Sequence, residues 1–143
     1  MGVPLEGFGD KVRETAAEGM VLLKNEKQMF PLTKEDHVAI FGRCQINYYK
    51  SGTGSGGAVH TAYTTNLVEG LRRYKEISLN EELVQIYENW VKENPFDDGG
   101  GVWAGEPWYQ KEMPVSEEMA RKAGETSNKA IVVIGRTAGE DQD

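Results

Sequence analysis

Three groups of residues have the types and spacing to do chemistry. The first is the run Ser51-Gly52-Thr53-Gly54-Ser55-Gly56-Gly57. Its glycines let backbone approach a ligand closely, and Ser55 adds a hydroxyl. Gly52, Gly54 and Gly57 also satisfy G-x-G-x-x-G, the dinucleotide fingerprint, with Glu76 about the right distance downstream to bind a ribose. The context does not fit. In that motif the glycines form the turn directly between strand and helix, whereas residues 43–50 separate Gly42 from Gly52. No Gly-Lys-Ser/Thr follows, which argues against a phosphate-cradling P-loop. The second group is Gly139-Glu140 with Asp141 and Asp143. Like charge disfavours ionisation of Glu140, as a general acid working near neutral pH requires, although a terminal acidic run is more commonly just solvated. An Asp-x-Asp calcium loop would need ligands beyond residue 143. The third group is Trp103, Trp108 and Tyr109 within residues 96–114, a stretch with neither helical nor strand period. Such rings could stack on a flat ligand such as a sugar; packing of the loop onto the body is the favoured reading.

Regular elements must hold these groups. Val38-Ala39-Ile40-Phe41-Gly42 and Ala130-Ile131-Val132-Val133-Ile134-Gly135 read as strands covered on both faces. The glycine run and Glu140 follow these two strands, so both segments are expected at one edge of a parallel sheet, where open α/β sheets place their sites. Val12, Ala16, Met20 and Leu23 form a helical stripe over residues 11–25, with Asp10 as its N-cap. Leu67, Leu71 and Tyr74 mark a short helix behind an Asn66 cap. Ser78-Leu79-Asn80-Glu81 reads as a capping box for a helix with Leu83, Ile86, Tyr87, Trp90 and Val91 on one side, ending near Asn94 before Pro95. Ser116 caps a last helix that starts with Glu117 and Glu118, and Met119, Ala123 and Ala130 are expected to face inward.

Composition limits the partners. The 143 residues carry a formal charge of −7, with 10 Lys+Arg against 8 Asp+Glu up to residue 75 and 6 against 15 after it. Solvated helix faces are the ordinary cause of such acidity, and a chain without a basic face is not expected to bind nucleic acid. No apolar run is long enough to cross a bilayer, and Met1-Gly2-Val3-Pro4-Leu5-Glu6 has neither a signal-peptide pattern nor a myristoylation motif, so no membrane partner is expected. Cys44 alone cannot form an internal disulfide, and His37 and His60 do not complete a zinc ligand set. A reduced, cytoplasmic setting without metal or cofactor is expected, and the composition leaves a homo-oligomer open.

Alternating helices and buried strands indicate an α/β layered fold with a parallel sheet. Only two good strands and a doubtful third at residues 74–77 are legible, and nothing follows the second to cover it. The chain therefore reads as the first part of a domain. Ala16-Ala17-Glu18-Gly19-Met20-Val21-Leu22-Leu23-Lys24-Asn25-Glu26, Pro31-Leu32, the strand at 38–42, the glycines at 52–57 and Leu67-Val68-Glu69-Gly70-Leu71 closely resemble the opening of the α/β sandwich domain of glycoside hydrolase family 3, the β-glucosidase family. The strand at 131–136 followed by Gly139-Glu140 and Asp143 resembles that family's strand and Gly-Glu-x-x-Asp loop; the resemblance is weakest over 77–114.

The resemblance implies an incomplete parallel-sheet sandwich with helices on both faces, the first part of an (α/β)6 domain, over residues 1–143: a helical segment at 1–30 and a sheet core at 38–143 with a glycine loop at 51–57 and an aromatic loop at 96–114. It implies a (β/α)8 barrel of the same enzyme as partner, carrying a nucleophilic Asp, without which these residues should be inert. Motifs that begin within about twenty residues of Met1 fit the order in which the sandwich precedes the barrel, or a cut at the linker. The matching general acid/base is Glu140. Ser55, between Gly54 and Gly56, falls in the glucosyl site, and Trp103, Trp108 and Tyr109 either wall an aglycone site or pack. The implied substrate is a β-glucoside or oligosaccharide, hydrolysed with retention at a terminal β-D-glucosyl residue. The competing reading is a non-catalytic nucleotide- or carbohydrate-binding module that uses the loop at 52–57.

Overall fold

The computed structural model describes residues 3, 5–49, 54–57 and 61–137. It forms two compact units, Met1–Pro31 and Leu32–Asp143.

In the first unit, helix α1 spans Phe8–Glu18 and buries none of its residues. Its N-cap is Gly7 in the left-handed conformation; Asp10 lies inside the first turn and pairs with Arg13. The stripe that predicts a helix to residue 25 is cut at Gly19, whose N–H bonds the Thr15 and Ala17 carbonyls. Glycine is a poor helix former, and a helix with no buried face has no packing to carry its period past one. Met20, Val21, Leu22 and Leu23 consequently lie outside any helix or strand and are exposed. Asn25 closes the next turn, donating to the Phe30 carbonyl at 2.9 Å and accepting from the Phe30 N–H at 3.1 Å.

The second unit is built on a parallel sheet of β1 (His37–Phe41), β2 (Ser78–Leu79) and β3 (Lys129–Val132) in the order β2-β1-β3. Val38 pairs with Leu79 on one side and Lys129 on the other; Phe41 pairs with Val132. Successive β1 side chains point to opposite faces, and both faces are covered. Val38 and Ile40 meet Val68, Leu79 and Val84; Ala39 meets Leu83, Tyr87, Met113 and Ala123. The cover comes from α2 (Leu67–Arg73), α3 (Glu81–Glu93) and α4 (Glu117–Thr126).

Most helix starts follow the sequence. Asn66 and Glu69 form a reciprocal capping box on α2, and Ser116 accepts the Met119 N–H on α4. The Ser78 capping box is corrected. Ser78 and Leu79 are drawn into β2 by pairing with His37 and Val38, so the cap moves to Asn80, which accepts the Leu83 N–H at 3.1 Å. The doubtful strand at 74–77 moves forward for the same reason. A second correction concerns β3. Ala130 is exposed although Met119 and Ala123 pack inward, and the expected two-faced burial gives way to Val132 at 66% and Ile134 at 88% exposure. Among the described residues, β1 flanks β3 on one side and no strand flanks it on the other.

Candidate active site

The chain runs from β1 outward to β2 and then crosses back to place β3 on the other side of β1. Strand order therefore reverses between β1 and β3, and the crevice at the carboxyl ends of such a pair is where open parallel sheets bind ligands. The segments leading to the glycine loop and to Glu140 both leave the sheet there.

Gly42 sets the spacing of the two exits. Its φ is +96°, and a Cβ there would lie 2.1 Å from the Val133 carbonyl oxygen, so only glycine permits this approach. Its N–H donates to the Tyr87 hydroxyl at 3.0 Å. Arg43, Cys44 and Gln45 then make a buried 3-10 turn. The Arg43 guanidinium donates to the Lys111 carbonyl at 2.8 Å, the Asn94 carbonyl at 2.9 Å and the Asn47 side-chain oxygen at 2.8 Å, and lies 5.2 Å from the Trp90 ring centre. The Arg43 N–H donates to Glu112 at 2.9 Å. Gln45 turns back to the Ile40 and Gly42 carbonyls at 2.9 and 3.0 Å. Burial, with Glu112 nearby, pushes the Cys44 thiol up from its usual range against the opposing pull of Arg43, so it is held protonated and is a poor nucleophile. Burial likewise raises the Tyr87 hydroxyl.

The described part of the glycine run, Gly54–Gly57, is a 3-10 turn. Gly54 is buried, whereas Ser55 and Gly56 are exposed. The next helix starts only at Leu67, so the run does not open a helix as a pyrophosphate-binding turn does. Ser51, Gly52 and Thr53, and Gly139, Glu140, Asp141 and Asp143, lie outside the described residues.

The aromatic loop comes to the same edge. Its base is closed by Gln110, buried, which accepts the Asp97 N–H at 2.7 Å and donates to the Asp97 carbonyl at 2.8 Å. Within it, Gly99 at φ +69° passes so close to Gly105 that a Cβ would overlap its backbone. Phe96 packs edge-on against Tyr49, with ring centres 5.3 Å apart. Trp108 carries the Arg136 guanidinium at 5.0 Å from its ring centre, and its carbonyl accepts the Thr137 N–H at 2.9 Å. Packing of the loop thus rests on Phe96, Gln110 and one face of Trp108; Trp103 and Tyr109 are 58% and 71% exposed. Arg43 and Gln110 escape a reading by sequence, because a lone Arg after a strand and a Gln in a loop carry no spacing signal.

Among the described residues no group of three or more His, Cys, Asp or Glu could hold a metal ion, and no helix is long and apolar enough to cross a membrane.

Residues 20–143 match the family model of the glycosyl hydrolase family 3 C-terminal domain. The chain is 48% identical over 134 residues to a β-glucosidase of Ruminococcus albus, an alignment that covers 94% of this chain and 14% of that protein. The crystal structure of a β-glucosidase from Paenibacillus barengoltzii superposes with a TM-score of 0.95 at 59% identity, over 100% of this chain and 15% of that one. β-Glucosidase 3B from Thermotoga neapolitana, in complex with α-D-glucose, superposes with a TM-score of 0.79 at 31% identity, over 97% of this chain and 19% of that one. The chain thus spans a small fraction of the length of the proteins it resembles.

Proposed function

Because the chain belongs to glycosyl hydrolase family 3, within its C-terminal domain, we propose that it is part of a retaining β-glucosidase-like hydrolase that removes terminal β-D-glucosyl residues. The observation that carries this reading is the meeting of the two loop exits at the β1/β3 reversal, with Gly42 against Val133, in a chain similar to named β-glucosidases. In this reading a (β/α)8 barrel elsewhere in the protein faces that edge and supplies the carboxylate that attacks the anomeric carbon. Glu140 protonates the departing glycosidic oxygen, then takes a proton from the water that releases the sugar. The two carboxylates lie about 5–5.5 Å apart in a retaining site. Ser55, exposed between Gly54 and Gly56, offers its hydroxyl to the sugar.

The test is Glu140→Ala in the full-length protein. General acid–base catalysis contributes about 10²–10⁴-fold, and hydrolysis of an alkyl or phenyl β-glucoside should fall by that order. With a dinitrophenyl β-glucoside, whose leaving group needs no acid, release of the glycosyl-enzyme limits the variant; azide attacks that intermediate without needing a base, so it should restore turnover with formation of the glucosyl azide. Unchanged turnover removes Glu140 from the mechanism.

A further inference from the structure

We propose that the loop at 96–114 is a brace for the acid/base segment, with Trp108 and Arg136 as positioning residues. This rests on the reading of Glu140 as the acid/base. The β1–β3 ladder reaches Val133, whose N–H bonds the Phe41 carbonyl at 2.8 Å, and Ile134 beyond it is 88% exposed. Among the described residues, sheet pairing therefore ends at Val133. Thr137 is the next anchored backbone: it is 7% exposed, and its N–H is held by the Trp108 carbonyl. One residue earlier, the Arg136 guanidinium covers one face of the Trp108 ring. That face is closed to a sugar, so the ring serves the chain leaving β3.

The brace is fixed at its other end. Gln110, two residues from Trp108, closes the loop on Asp97, and Arg43, two residues after β1, holds the carbonyls of Asn94 and Lys111 on either side of that closure. A continuous path runs from the exit of β1 through Arg43, Gln110 and Trp108 to Thr137, three residues from Glu140. Misplacement of a catalytic group by about 1 Å can cost about 10²-fold, which gives such a path a catalytic consequence.

The distinguishing readout is leaving-group dependence of kcat/KM, which reports the step that needs the acid. A phenol departs with help from the acid, whereas a dinitrophenol departs unaided. In the full-length protein, Trp108→Leu should lower kcat/KM for phenyl β-glucoside by about 10–100-fold, and Arg136→Met by about 3–5-fold. Both should change kcat/KM for the dinitrophenyl glucoside by less than about twofold and leave KM for the phenyl glucoside, whose turnover is limited by the acid-assisted step, unaltered. Neither should add a loss in the Glu140→Ala background, since residues acting through one group are non-additive. Arg136→Met leaves the Trp108 ring in place, so it separates bracing from sugar stacking. Equal losses on both substrates, a loss carried by KM, or full additivity with Glu140→Ala overturns the brace. The two readings fail differently. A Glu140→Ala enzyme with unchanged turnover overturns the acid/base assignment; a crippled Glu140→Ala enzyme beside unaffected Trp108 and Arg136 variants overturns the brace alone.

Discussion

β1 and β3 lie side by side and come from closely similar apolar runs, Val38-Ala39-Ile40-Phe41-Gly42 and Ile131-Val132-Val133-Ile134-Gly135. Their surroundings differ sharply. Val38, Ala39 and Ile40 are 0–1% exposed between helices on both faces and strands on both edges, whereas alternate residues of β3 and its extension face solvent. A continuous apolar run states how much cover a strand is built for; whether these 143 residues supply that cover is a separate matter. For β1 they do. For β3 the described residues supply one flank, in a chain that spans 14–15% of its curated relatives.

The contrast can be broken or sharpened by substitution. Ile40→Ala should carry the largest cost, about 2–5 kcal/mol, because it opens a cavity in a fully enclosed strand; the urea midpoint measures it. Asp36→Asn should act less, and only over part of the pH range. Asp36 sits just before β1, accepts the Thr33 N–H at 2.6 Å and pairs at 3.0 Å with Lys129 at the start of β3. The Thr33 N–H first, and then Lys129, hold the Asp36 carboxyl below its ordinary value of 3.8. A lowered folded-state value gives stability that is complete above the unfolded value and lost as pH falls through the folded one. The variant should therefore be weaker than wild type near neutral pH and converge with it as pH drops below 3.8. Val132→Ala should matter least, under about 0.5 kcal/mol in these 143 residues, because the side chain is 66% exposed. The same substitution should cost more in the full-length protein if the outer flank is covered there. Equal costs for Ile40→Ala and Val132→Ala in the 143-residue chain would break the comparison.

Features specified by neighbours in sequence were the legible ones. β1, α2 and α4 with the caps Asn66 and Ser116 depend on residues within one turn or one strand. The start of α3 was not legible, because its shift from Ser78 to Asn80 comes from pairing with a strand some forty residues earlier, as the His37–Ser78 separation of 41 shows. The end of α1 was missed for the opposite reason: its apolar period had no packed face behind it, so Gly19 decided the matter. At the candidate site, residue type alone marked the glycine run and Glu140. Arg43 carried no such mark, since its function lies in carbonyls 51 and 68 residues downstream. The link from Trp108 to Thr137 and Arg136 was equally hidden, although each residue could be read separately as an aromatic, a hydroxyl or a cation.

The buried Arg43 has a consequence for how the sheet comes apart. Its guanidinium is met by two backbone carbonyls and an amide oxygen, so these three bonds near the carboxyl end of β1 do not depend on a charge that acid removes. At the amino end of the same strand, the clasp between Asp36 and Lys129 depends on a charge that acid removes. Acidification thus acts unevenly along β1: it undoes the clasp beside Asp36 and spares the three guanidinium bonds at the end near the candidate site.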